Sequence, residues 1–129
     1  GVSSISQRAA LAAVTSKSDS KERMREAFLR RRDLICRLLG EILGLRVRVP
    51  QGAFYVMPDI TNFIGRSYDG RVMKNADDLT FFLLAEARVA MVSGTAFGAD
   101  NCIRISYATS DDRITEAVRR IREALEKLG

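Results

Sequence analysis

Apolar residues cover nearly every face of the stretch Ile5 to Val14, a pattern typical of a helix buried on all sides. A chain of 129 residues has little to bury such a helix against, so the pattern implies that the chain begins partway through a larger protein. The polar run Thr15 to Ser20 interrupts it and predicts a linker. A second helix is then predicted from about Ser20, with Asp19 and Glu22 three apart as a cap and its reciprocal acid. It runs to about Leu43, where Gly44 stops it in the left-handed conformation. Met24, Phe28, Ile35, Leu38 and Ile42 trace its apolar stripe.

From Leu45 the period shortens to two. Leu45 to Val49 alternates apolar and charged, as a half-solvated strand does. Pro50-Gln51-Gly52 turns the chain, and Ala53 to Met57 returns as a second strand. Thr61 to Asn75 is polar and glycine-containing and is predicted to be a loop. Asn75 then caps a helix through about Ala87, with Asp78 in the reciprocal position. Val89 to Val92 is predicted as a short buried strand, and Cys102 to Tyr107 as another alternating one. In the last helix Ile114, Ala117, Val118, Ile121, Ala124, Leu125 and Leu128 fall at three-and-four spacing, with Asp111 and Asp112 in its first turn. Glu116–Arg120 and Glu123–Lys127 are spaced to pair. Four short strands under two covering helices describe a two-layer α+β body.

Composition narrows the chemistry. The chain has no histidine and two cysteines, which removes histidine-based triads, zinc fingers and any disulfide framework. Cys36 and Cys102 are expected to be reduced core thiols of a cytoplasmic protein, and no metal site is expected. No apolar run approaches the ~20 residues that span a bilayer, so no membrane partner is expected. The net charge is +5, of which residues 1–44 hold +4 and residues 45–129 hold +1. The excess therefore belongs to one helix. Arg30-Arg31-Arg32, with Arg23, Arg25 and Arg37, raises an alternative reading as a basic nucleic-acid-binding module. Consecutive arginines spread over three helix faces, however, and Glu22, Glu26 and Asp33 balance part of the charge. The solvated-face reading is favoured, with no nucleic-acid partner.

Two further motifs are weak. Ser18-Asp19-Ser20-Lys21 has the spacing of a serine–lysine acyl-transfer site, but its companion motifs are absent. Ser93 to Gly98 lacks the ending of a phosphate loop. It reads as a turn in which Gly94 supplies a backbone conformation that other residues resist. Arg104 stands apart. It lies between core-facing Ile103 and Ile105 and shares its own face with small Cys102 and Ser106. That leaves room for a planar guanidinium to present its fork to a carboxylate. Pattern alone still favours an ordinary charged residue on an open sheet face.

The strings Val89 to Gly98 and Cys102 to Ser110 resemble the C-terminal end of class I aminotransferases, fold type I enzymes that use pyridoxal phosphate. The nearest resemblance is to the bacterial aspartate aminotransferase branch. Pro50 to Val56 is similar to that family's turn-and-strand opening the small domain, Arg23 to Arg37 to its long interdomain helix, and Ser3 to Ala10 to the segment after the active-site part of the large domain. Family strings often carry Pro and Asp where Ser93 and Ala96 stand, which bears on substrate choice. The resemblance covers essentially the whole chain. It implies a helical arm and interdomain helix over 1–44 and a small domain over 45–129, with a short, mostly antiparallel sheet covered by helices.

The resemblance also implies amino-group exchange between an amino acid, aspartate foremost, and a 2-oxo acid, in a parent that is a homodimer. Another fold type I enzyme of the same cofactor is the closest alternative. In the family the arginine of the Ile-Arg-Ile-Ser-Tyr-Ala strand binds the substrate α-carboxylate, and it corresponds to Arg104. The Schiff-base lysine, the acid for the pyridine nitrogen, the tyrosine for the ring hydroxyl and the arginine for the phosphate belong to the large domain. Lys17, Lys21, Lys74 and Lys127 are the only lysines, and none stands in the family's lysine motif. No catalytic or cofactor-binding residue is expected in this chain, no pyridoxal phosphate bound to it alone, and no activity from it alone.

Overall fold

The computed structural model describes the backbone of residues 2–50 and 54–129 and the side chains of residues 19–50 and 54–129. The turn expected at Pro50-Gln51-Gly52, the start of the next strand at Ala53, and the faces of Ile5 to Val14 lie outside the described residues. Residues 1–30 and 31–129 form two compact units.

Helix α1 runs without a break from Val2 to Gly40. The linker expected over Thr15 to Ser20 is therefore helix, and Asp19 is not a cap. Serine, lysine and aspartate each cost only a few tenths of a kcal/mol in a helix, and no glycine or proline occurs between Val2 and Leu39 to break it. The helix also stops earlier than expected, at Gly40. Ile42 N–H to the Leu39 carbonyl (3.1 Å) and Leu45 N–H to the Ile42 carbonyl (3.2 Å) continue as loose turns, and Gly44 takes its positive φ of 101° beyond them. Within residues 31–129 the buried positions of α1 and its extension are Ile35, Leu39 and Ile42. Leu39, not Leu38, therefore enters the core.

The body is a three-stranded antiparallel sheet of order β1-β5-β4, built from β1 (Tyr55–Val56), β4 (Val92–Ser93) and β5 (Ile103–Ser106). Helices α2 (Ala76–Ala87) and α3 (Asp111–Glu126) accompany it. Leu45 to Val49 does not form a regular strand. Only Arg46 pairs, through an isolated bridge to Asp59, and Val49 is exposed. β4 starts three residues after the start of the expected buried strand Val89 to Val92 and is shorter, and Val92 is exposed. The alternation of β5 is as expected: Ile103, Ile105 and Tyr107 are buried, as are Ile114, Val118 and Ile121 of α3.

The stretch read as a loop carries a hairpin. Ser67–Tyr68 (β2) pairs with Arg71–Val72 (β3), and Asp69 and Gly70 between them have φ of 52° and 78°. Two successive positive φ values are what a two-residue turn needs to match strand twist, and Asp-Gly supplies them. Phe63 and Met73 on either side of the hairpin are buried.

Both helix starts are capped, α2 at the expected Asn75 and α3 at Ser110, which the sequence reading did not single out. Asn75 accepts from the Asp78 amide (2.9 Å), while Asp78 accepts from the Lys74 amide (3.0 Å). Ser110 accepts from the Arg113 amide (3.3 Å) at the start of α3. Glu116 pairs with Arg120 at 3.0 Å as spaced, but Glu123 pairs with Arg119 at 2.7 Å, and Lys127 reaches across to Glu86 of α2 at 3.2 Å. Among the described residues no helix is long and apolar enough to cross a membrane.

Candidate functional site

Arg104 occupies the central strand. Its position explains what surrounds it. In register, Arg104 lies opposite Val92 of β4, and Tyr55 of β1 lies opposite Ser106. Arg104 and Ser106 share a face, so Tyr55 is the diagonal neighbour of Arg104, a separation that aromatic and long side chains bridge. The guanidinium carbon lies 4.2 Å from the Tyr55 ring centroid. A second ring arrives from the other flank. β4 leads directly into a 3-10 turn, Gly94–Phe97, which brings Phe97 back to the sheet with its centroid also 4.2 Å from the guanidinium carbon. Both distances are those of attractive cation–π contacts. Among the described residues no carboxylate forms an ion pair with Arg104. Its N–H edge remains a positive, planar donor array suited to an external carboxylate.

The turn carrying Phe97 is held by its backbone. The Gly94 amide donates to the Cys102 carbonyl (2.7 Å), the Ala99 amide to the Gly94 carbonyl (2.8 Å), and the Ser93 hydroxyl accepts from the Thr95 amide (3.3 Å). Gly98 closes the turn at φ 75°. Gly94 itself is not in the left-handed region, contrary to the conformational role expected for it. Its reason is space: a Cβ there would collide with the carbonyl oxygens of Ala99 and Cys102.

Asp59 anchors the start of β5. Its backbone bridges both Arg46 and Cys102, and its carboxylate accepts from the Thr61 amide (2.8 Å), the Thr61 hydroxyl (2.6 Å) and the Asn101 side-chain amide (2.9 Å). The pattern reading missed this residue, although an Asp two residues before a Thr carries the sequence signal of a side-chain turn. The Thr61 hydroxyl above all, followed by the Thr61 amide, holds the Asp59 carboxyl below the ordinary carboxylate range. A lowered folded-state value contributes stability that is complete above about pH 4 and is lost as pH falls through that lowered value. Thr61→Val should therefore raise the Asp59 titration point and destabilise the chain at pH 7, with the difference from wild type vanishing once the carboxyl is protonated. Carbon NMR titration of the Asp59 carboxyl, with melting at both pH values, tests this. An unmoved titration point would refute it.

The cysteines are free but half-buried rather than in the core, and burial raises both thiols. Among the described residues no cluster of side chains suited to a metal ion is present. Arg31 and Arg32 of the basic run are engaged with Asp111 (3.5 Å) and Asp33 (3.2 Å), which reduces the charge available to a phosphate backbone. Two open grooves, of about 680 and 640 Å³, lie beside the β2–β3 hairpin and along α3, and Arg104 lines neither.

A comparison with protein families matches residues 1–121 to aminotransferase class I and II. The chain belongs to this family. Among its aminotransferase relatives, a bifunctional aspartate aminotransferase and glutamate/aspartate-prephenate aminotransferase of Petunia hybrida is 43% identical over 97% of this chain and 27% of its own length. An aspartate/prephenate aminotransferase of Cereibacter sphaeroides is 47% identical over 92% of this chain and 30% of its own length. The crystal structure of the aspartate aminotransferase from Rhizobium meliloti superimposes with a TM-score of 0.80 at 44% identity, covering 84% of this chain and 27% of that one. The chain thus spans less than a third of the length of these aminotransferases.

Proposed function

We propose that this chain is the helical arm and interdomain helix (residues 1–44) and the small domain (residues 45–129) of a cytoplasmic, homodimeric pyridoxal-phosphate aminotransferase. The enzyme would exchange an amino group between an amino acid, aspartate foremost, and a 2-oxo acid. The aspartate and aspartate/prephenate activities named for relatives at 43% and 47% identity support the reaction and the substrate class. Burial of Ile35 and Leu39 in the last turns of the long helix, and of Ile42 just after it, supports its attachment to the small domain.

The single observation that carries the site is Arg104: a guanidinium on the central strand, set between two rings and without a carboxylate partner among the described residues. Its task in this reading is to bind the α-carboxylate through two parallel hydrogen bonds. That fixes the amino acid so that its Cα–H bond keeps one orientation during proton removal.

Pyridoxal phosphate, when bound, supplies the electron sink that makes that proton removable. The reading places its anchors outside the described residues. The Lys127 ammonium is held by Glu86 at 3.2 Å, and Lys21 and Lys74 are exposed on the surface. The reading assigns the Schiff-base lysine and the phosphate anchors to the part of the relatives' length that this chain does not span.

The full-length protein is expected to show a cofactor-dependent absorbance band lost on mutating one lysine, and to convert aspartate and a 2-oxo acid to their amino-exchanged partners. This chain alone is expected to show neither. A full-length protein that binds the cofactor yet releases carbon dioxide from amino acids, or transfers no amino group, would replace the aminotransferase reading with another enzyme of the fold.

A further inference from the structure

We propose that Tyr55 and Phe97 are positioning residues that hold the Arg104 guanidinium in one orientation before substrate arrives, so that any α-amino acid meets a preset carboxylate clamp. The inference rests on the reading of Arg104 as the carboxylate anchor and adds to it the source of the arginine's order. An arginine side chain has many rotamers, and ordering it only at binding costs affinity. On β5 no carboxylate among the described residues is available to order it. Two rings do so instead, each 4.2 Å from the guanidinium carbon and reaching it from opposite flanks of the strand.

Aromatic rings suit this task better than acids. An acid would compete with the substrate for the N–H edge and neutralise the charge. A ring attracts the cation through its π face and leaves the in-plane donors open. The two rings also come from separate pieces of chain, β1 and the turn after β4, so the clamp is assembled only when both are paired with β5. Tyr55 is 39% and Phe97 49% exposed, more open than core aromatics need to be. Their surroundings therefore give them little other packing role.

The test uses the full-length enzyme and two readouts. One is the KM and kcat for several amino acids. The other is the Kd of 2-methylaspartate, which carries the α-carboxylate but no Cα proton to lose. Tyr55→Leu and Phe97→Leu should each raise KM and Kd about threefold to tenfold. The rise should be similar for every amino acid, with kcat within about twofold, because a preset clamp serves ground and transition states alike. Tyr55→Phe and Phe97→Tyr keep a ring and should retain wild-type values. Tyr55→Ile gives a second ring-free variant with high strand preference. On an Arg104→Lys background the leucine changes should add nothing, since an ammonium has no plane to orient. Unchanged Kd in the leucine variants, with Arg104→Lys strongly impaired, would overturn the positioning role and leave the carboxylate reading standing. Wild-type Kd in Arg104→Lys would overturn both.

Discussion

Arg104→Lys in the full-length enzyme is expected to lower kcat/KM for amino acids by roughly one and a half to four decades. Losing one partner of a buried, charge-assisted contact costs about 2–5 kcal/mol, and each 1.36 kcal/mol is about tenfold in rate. Lysine keeps the charge but not the fork, so it makes one contact where the guanidinium makes two in a fixed plane. The penalty should be similar for every amino acid accepted, because all share the α-carboxylate. An amine lacking that group should be far less affected. Folding should survive, since Ile103, Ile105 and Tyr107, not Arg104, fill the core. Steady-state kinetics with a melting curve check both halves. Near-wild-type turnover would end the carboxylate assignment.

Gly94→Ala should have the largest effect on stability. The added methyl meets two backbone carbonyl oxygens, of Ala99 and Cys102, and neither can rotate away as a side chain could. Relieving the overlap means breaking the Gly94–Cys102 and Ala99–Gly94 hydrogen bonds that close the turn. A cost of about 3 kcal/mol follows, equivalent to roughly 10–20 °C in melting temperature for a body of this size. Gly98→Ala is the control. Its Cβ would enter open space, so it carries only the strain of φ 75°, about 1–2 kcal/mol. Thermal unfolding of the two variants side by side separates steric from conformational need. A Gly94→Ala chain melting within about 2 °C of wild type would refute the close-approach account.

The sequence disclosed its long-period elements more readily than its short ones. The α3 stripe from Ile114 to Leu128 and the Asn75 cap lie where spacing puts them, because burial on one helical face repeats over several turns. The strands were harder to read. β1, β4 and the hairpin strands have two residues each, too few for alternation to register, and their existence depends on partners remote in sequence. Asp69-Gly70 carries the signal of the hairpin turn, even though its polar surroundings read as a loop. The continuous α1 shows the converse. A polar run looks like a linker, yet without glycine or proline the helix continues through it. At the site, alternation put Arg104 on the outer face, and the resemblance supplied the role proposed for it. The rings could not be foreseen, because Tyr55 and Phe97 meet Arg104 only through the β1-β5-β4 order.

The antiphase of β5 bears on how such a site could diversify. Odd positions 103, 105 and 107 are committed to the interior, while even positions 104 and 106 face outward with Tyr55. The outward positions and the bracketing rings are not among the buried side chains that form the core. If Arg104 binds substrate as proposed, substrate handling and foldability are written on alternate residues of a single strand. A lineage could drift through new ligand preferences there without first acquiring compensating mutations in the interior, as long as Gly94 keeps the adjoining turn closed.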